Sequence, residues 1–120
     1  MSGVTVYTYK NCDTCRRAVK WLGLRGIIFE ERPIRETPPT LAELRAMLAV
    51  FPGERRRLFN TAGKDYRALK LAEKLPAMSE IDALRLLAAN GNLVKRPFLL
   101  APDIGLVGFD EPEWAAALSK

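Results

Sequence analysis

Tyr9-Lys10-Asn11-Cys12-Asp13-Thr14-Cys15-Arg16-Arg17 holds both cysteines of the chain, three positions apart. The run before it, Val4-Thr5-Val6-Tyr7-Thr8-Tyr9, is rich in β-branched and aromatic residues and predicts a strand over 3–9. In the run after it, Ala18, Val19 and Leu22, with Trp21 beside them, recur at helical spacing between Arg16, Arg17, Lys20 and Arg25. That predicts a helix over 13–24, stopped by Gly26. A strand feeding a C-x-x-C that opens a helix is a redox arrangement. The first N–H groups of a helix are unpaired and its N-terminus carries partial positive charge, so a thiol placed there is favoured as thiolate. Lys10, Arg16 and Arg17 add cations nearby. Cys12, at the junction of loop and helix, is the expected nucleophile. Cys15, about one helical turn further on, is the expected resolving thiol that attacks a mixed disulfide on Cys12.

Three other readings of the cysteines compete. Zinc needs about four ligands, and the chain has no histidine and no third cysteine, so no metal site is expected. A structural disulfide across so short a loop is a poor staple. Two inert core cysteines would sit badly among Asp13, Thr14, Arg16 and Arg17.

A length of 120 residues suits one domain over 1–120 with one core. The net charge of +5 permits acidic partners, small anions or a nucleic-acid surface without choosing among them. No basic segment followed by an apolar one opens the chain, and no apolar run approaches a membrane span. A cytoplasmic location is expected, where thiols are mostly reduced.

Beyond the motif, Ile27-Ile28-Phe29-Glu30-Glu31-Arg32 reads as a second strand, parallel to the first in a βαβ unit. Pro33 and Thr37-Pro38-Pro39 interrupt the pattern. Thr40 and Glu43 form a capping box ahead of Leu41, Leu44, Met47 and Leu48, predicting a helix to near Val50. Pro52-Gly53 is a turn, and Arg55-Arg56-Arg57 reads as a solvated helix face. A helix is predicted over 66–75, ended by Pro76. Ser79 and Asp82 open another that runs through Ala89 and is closed by Asn90-Gly91-Asn92. Strands over 97–101 and 106–109, around a turn at 102–105, form a hairpin. Asp110 and Glu113 cap a last helix carrying Trp114 and Leu118. The expected fold is α/β: a βαβ unit, a helical insertion at about 38–92, and a ββα unit. This gives a four-stranded mixed sheet in thioredoxin or glutaredoxin order, with helices on both faces.

Val94-Lys95-Arg96-Pro97 precedes the third strand. A proline at the start of a strand costs no ladder bond, and two basic residues there can simply face water. In thioredoxin-like folds, however, this loop lies beside the cysteine motif and carries a cis-proline. Arg96 would then set a permanent forked cation near Cys12, and Pro97 would shape the groove.

These pieces together resemble the arsenate reductase ArsC / Spx / YffB family of thioredoxin-fold proteins, from end to end. The matching segments are Tyr7-Thr8-Tyr9 with Cys12-Asp13-Thr14-Cys15-Arg16-Arg17-Ala18, then Asn60-Thr61-Ala62-Gly63 with Tyr66-Arg67 and Leu69. Leu93-Val94-Lys95-Arg96-Pro97-Phe98 and Leu106-Val107-Gly108-Phe109 with Trp114 follow. In glutaredoxin-coupled arsenate reductases the cysteine matching Cys12 attacks arsenate among three arginines. Arg96 matches one of them, Asn60 stands at the second, and Leu106-Val107-Gly108-Phe109 offers none for the third. The Asn-Thr-Ala-Gly and Val-Gly-Phe segments resemble the YffB-type branch, which implies a glutathione-dependent thiol reductase. Cys15 resembles the second cysteine of Spx, a transcriptional regulator. Spx binds RNA polymerase through the C-terminal domain of its α-subunit, and uses its own C-x-x-C as a redox switch. Gly53 falls near a glycine of that contact, although a Pro-Gly turn explains it equally well.

The resemblance implies a cytoplasmic thiol–disulfide oxidoreductase with Cys12, Cys15 and Arg96 as catalytic residues. Lys10, Asn11, Asp13, Thr14 and Pro97 would bind substrate. No cofactor is expected to be bound; glutathione, glutaredoxin or thioredoxin would supply electrons. The alternatives are a redox-sensing regulator of the Spx/MgsR type that binds the RNA polymerase α-subunit, and arsenate reduction itself. No nucleic-acid recognition motif is visible, and a monomer is expected.

Overall fold

The computed structural model describes residues 3–119. Four strands, β1 (Thr5–Thr8), β2 (Glu30–Pro33), β3 (Phe98–Ala101) and β4 (Ile104–Val107), form one sheet in the order β2-β1-β3-β4. β2 is parallel to β1, and β3 is antiparallel to both β1 and β4. Side chains alternate across a strand, and that alternation divides the core. Val4, Val6, Leu99 and Leu106 face α1 (Asp13–Leu24) and α6 (Glu111–Leu118), where Ala18, Leu22, Trp114 and Leu118 meet them. Tyr7, Phe98 and Val107 face the other way. They are covered by α2 (Leu41–Val50), α3 (Lys64–Ala68), α4 (Leu71–Lys74) and α5 (Glu80–Ala89), through Leu44, Met47, Tyr66, Leu71, Leu84 and Leu87. Each fully buried valine, leucine, methionine or phenylalanine among them contributes about 1.5–3 kcal/mol. The fold is the four-stranded mixed α/β sheet that the sequence predicts.

The capping signals act as expected. Thr40 and Glu43 make a complete capping box on α2. Ser79 Oγ accepts from the N–H of Asp82, and Asp110 Oδ1 from that of Glu113.

Four local expectations change. The second strand begins at Glu30, not at residue 27. Gly26 takes φ +70°, the N–H of Ile27 donates to Leu22 O and that of Gly26 to Gly23 O, both at 3.1 Å. This Schellman closure ties Ile27 to the helix and leaves Ile28 83% exposed. The helix expected over 66–75 is broken at Lys70, whose φ is +53°, into α3 and α4, followed by a 3₁₀ turn at Leu75–Ala77. In one continuous helix Tyr66 and Leu71 would point about 140° apart; the break lets both reach the core. The hairpin turn is only Pro102-Asp103, because Ala101 already pairs with Ile104 and Asp103 takes φ +62°. Finally, the three arginines lie on a 3₁₀ turn, Arg55–Leu58, rather than on an α-helix; Arg56 and Arg57 are exposed, and only Arg55 is half-buried. Arg55 Nη2 donates to the carbonyls of Leu75 and Pro76 at 2.9 and 3.0 Å. Arg57 pairs with Glu113 at 3.2 Å and Glu54 at 3.5 Å.

Candidate functional site

Cys12 is the N-cap residue of α1, in extended conformation, with its own N–H bonded to Tyr9 O at 3.0 Å. Its Sγ accepts the N–H of Cys15 at 3.2 Å. The sulfur thus takes the place that a serine or aspartate oxygen occupies at an ordinary cap. Cys12 is half-buried, Cys15 is 1% exposed, and both thiols are free. Burial pushes the Cys15 thiol up to about 12, and its hydrogen bond with Cys12 and the charge on Cys12 push the same way. Cys15 therefore holds its proton at neutral pH. Two of these three causes reside on Cys12.

The loop ahead of β3 reaches this motif. The Arg96–Pro97 peptide is cis. The Arg96 guanidinium lies 5.4 Å from the centroid of the Tyr9 ring and donates to Asn92 O at 3.3 Å. Its charge draws the Cys15 thiol down against burial. The same ring carries a second cation. Arg35 lies 5.0 Å from the Tyr9 centroid and donates to its hydroxyl at 2.9 Å. Asn11 Nδ2 donates to that hydroxyl at 3.3 Å, and the Asn11 bond followed by Arg35 pulls the phenol below its ordinary value.

Sequence reasoning missed Tyr9 and Arg35. Tyr9 reads as the last residue of a strand. Arg35 sits in a proline-rich loop with no local signal. Its place follows from the bond between Ile34 N–H and Thr8 O at 2.9 Å, which runs that loop alongside the end of β1. The backbone N–H of Asn60 donates to Leu93 O, and within the segment 106–109 the carbonyl of Gly108 accepts the indole N–H of Trp114.

The remaining candidate residues divide. Lys10 is exposed and lines two adjoining grooves of about 330 and 440 Å³, which share Thr8, Tyr9 and Glu31; Cys15 lines the smaller. Asn11 faces Tyr9, as above. Asp13 is committed to an ion pair with Arg16, whose Nη1 also holds Lys10 O. Asp13 thus braces the loop from inside α1. Thr14 is half-buried on the first turn, and Pro97 is buried. Among the described residues no group of three or more His, Cys, Asp or Glu side chains is gathered as metal ligands, and no helix is long and apolar enough to cross a membrane.

The ArsC family model matches residues 7–117, which includes the cysteine motif, the helical insertion and the Arg96–Pro97 loop. The chain belongs to the ArsC family. Among its ArsC relatives is the uncharacterized protein YusI of Bacillus subtilis, 42% identical over 92% of this chain and 94% of that protein. The global transcriptional regulator Spx of Enterococcus faecalis is 32% identical over 92% of this chain and 82% of its own length. A crystal structure of an ArsC-family-related protein from Bacteroides fragilis superposes with a TM-score of 0.90 at 39% identity. It covers 97% of this chain and 98% of that one. These relatives place the chain in a thiol-oxidoreductase-like family.

Proposed function

We propose that the protein is a cytoplasmic thiol–disulfide reductase acting on glutathione mixed disulfides. The observation that carries this reading is the division of labour between the cysteines. A half-exposed Cys12 caps α1, and a buried, protonated Cys15 sits against it. The Cys12 thiolate attacks the glutathione sulfur of R–S–SG. A Cys12–S–SG bond forms, the S–S bond breaks, and RS⁻ leaves to take a proton from water. Cys15 then loses its proton and attacks Cys12 Sγ, which forms the Cys12–Cys15 disulfide and releases glutathione. An external dithiol, or two glutathione molecules, returns two electrons and two protons. Arg96 and Arg35, spaced by the Tyr9 ring, hold the carboxylates of the substrate. Lys10 and Asn11 border the approach, and Thr14 and Pro97 shape the floor.

Arsenate and a glutathione mixed disulfide offered side by side test this. Turnover of the disulfide, lost in Cys12→Ser, is expected, with little arsenite formed. Arsenite formation dependent on Arg96 would reverse the assignment, because two of three expected arginines are replaced. A second reading rests on the Spx relatives and on the paired cysteines: a redox-controlled regulator that binds the RNA polymerase α-subunit. It predicts capture of that polymerase component and no turnover of either substrate.

A further inference from the structure

Tyr9 stands where the charged groups of the site meet. Its carbonyl accepts the N–H of Cys12 at 3.0 Å, so its backbone is fixed to the nucleophile. Its ring carries two guanidiniums, Arg35 at 5.0 Å and Arg96 at 5.4 Å from the centroid. Neither arginine makes an ion pair among the described residues. Both lie against one ring, so a ligand of about three residues, roughly 10 Å long, can reach both.

The Tyr9 hydroxyl oxygen accepts from Arg35 Nη1 at 2.9 Å and from Asn11 Nδ2 at 3.3 Å. These two donors fill its acceptor sites, and no described residue takes its own proton. Hydrogen bonds in series polarise one another, so donation from Arg35 and Asn11 strengthens the phenol as a donor. What remains is one uncommitted O–H beside two unpaired cations.

The two grooves that Tyr9 lines differ in charge. The larger sets Glu31 and Glu36 against Lys10. The smaller, which Cys15 also lines, sets Lys10, Arg16 and Lys20 against Glu31. A carboxylate is repelled from the first and drawn into the second, beside the thiols.

We propose that Tyr9 selects the charge of the substrate: its hydroxyl donates to a carboxylate of the mixed disulfide, and its ring holds Arg35 and Arg96 ready for the substrate's negative charges. This role rests on the reading of the site as a thiol–disulfide reductase. It adds a substrate class, disulfides of thiols that bear carboxylates, with neutral and cationic thiols disfavoured. Arg35 is exposed, and an exposed arginine left free loses side-chain entropy on binding. Stacked on Tyr9 and bonded to its hydroxyl, it is ordered before the ligand arrives.

S-methylglutathione is the unreactive probe. Its dimethyl ester, the same body without carboxylate charge, is the comparator. The full chain is titrated with each while amide resonances are followed. The parent should bind S-methylglutathione saturably and the ester about tenfold or more weakly. Tyr9→Phe keeps the ring and its packing and removes only the hydroxyl. It should weaken S-methylglutathione by about tenfold and change the ester little. In turnover, the preference for a glutathione over a cysteamine mixed disulfide, taken as a ratio of kcat/KM values, should fall by the same factor. A purely structural role would lower both substrates together and leave that ratio fixed. No saturable binding by the parent, equal binding of the ester, undiminished affinity in Tyr9→Phe or an unchanged ratio would overturn the proposal. Turnover of neither disulfide, with Tyr9→Phe still weakening the probe, would sink the reductase reading and leave charge selection by Tyr9 standing.

Discussion

One face of the sheet carries only the helices α1 and α6, while the other carries the helices α2 and α5 together with short pieces and 3₁₀ turns. The first is stabilised locally, by caps and an apolar stripe on each helix. On the second, α2 and α5 are capped locally as well, but the short pieces between and after them are held by contacts distant in sequence. Asn90 and Asn92 both donate to Asp65, Arg55 closes the carbonyls after α4, and Gly91 packs on the backbone of Ile34. In the proposed chemistry the regular face supplies the nucleophile at the start of α1. Arg96 is positioned from the irregular side, through Asn92 O. The thiol is thus placed by a locally capped helix end, whereas the cations around the Tyr9 ring are set by packing between distant segments. Arg35 and Arg96, which reach the same Tyr9 ring from separate loops, are an instance.

Mutations can break this contrast. The largest expected effect is Gly91→Ala. A Cβ there would lie 1.8 Å from Ile34 O, which is backbone and cannot yield. Denaturant unfolding should report a loss of about 3 kcal/mol or more. Next comes alkaline pH. The folded Cys15 thiol binds its proton more tightly than an unfolded one, so its contribution is complete below about pH 8.5. It is lost as pH rises towards about 12. That share is on the order of 3 kcal/mol by about pH 11. Burial, first, and Glu43 raise the Tyr7 phenol in the same direction. The measurement is therefore the difference in slope of stability against pH between parent and Cys15→Ala, which should be shallower. Third, Arg96→Gln should raise KM for an anionic mixed disulfide by about tenfold, the scale of one charge-assisted contact. It should also push the Cys15 thiol higher, seen as slower alkylation of Cys15. The smallest effect belongs to the regular face. Gly23 lies in α1 with open space around its Cα, so Gly23→Ala should stabilise by about 0.5–1 kcal/mol in thermal unfolding. Equal effects at Gly91 and Gly23 would erase the contrast.

The contrast between locally capped helices and the short pieces between them explains what the sequence makes legible. Thr40 with Glu43, Ser79 with Asp82 and Asp110 with Glu113 act over three positions, so their helices can be read directly. Cys12 at the start of α1 is equally local. The break at Lys70 depends on Tyr66 and Leu71 both needing the core. The stacking of Arg35 on Tyr9 depends on the pairing of the loop after β2 with β1. Ile27-Ile28-Phe29 has strand composition, but the closure at Gly26 claims the backbone of Ile27 first. These outcomes rest on tertiary contacts, which composition and periodicity do not carry.

The central claim is that Cys12 attacks while Cys15 waits protonated against it. Mass spectrometry of the full chain after mixing with a glutathione mixed disulfide tests it most directly. Cys15→Ser should accumulate one glutathione on Cys12, the parent should pass to the Cys12–Cys15 disulfide, and Cys12→Ser should remain unmodified. Glutathione appearing on Cys15 in Cys12→Ser as fast as on Cys12 in Cys15→Ser would contradict the account.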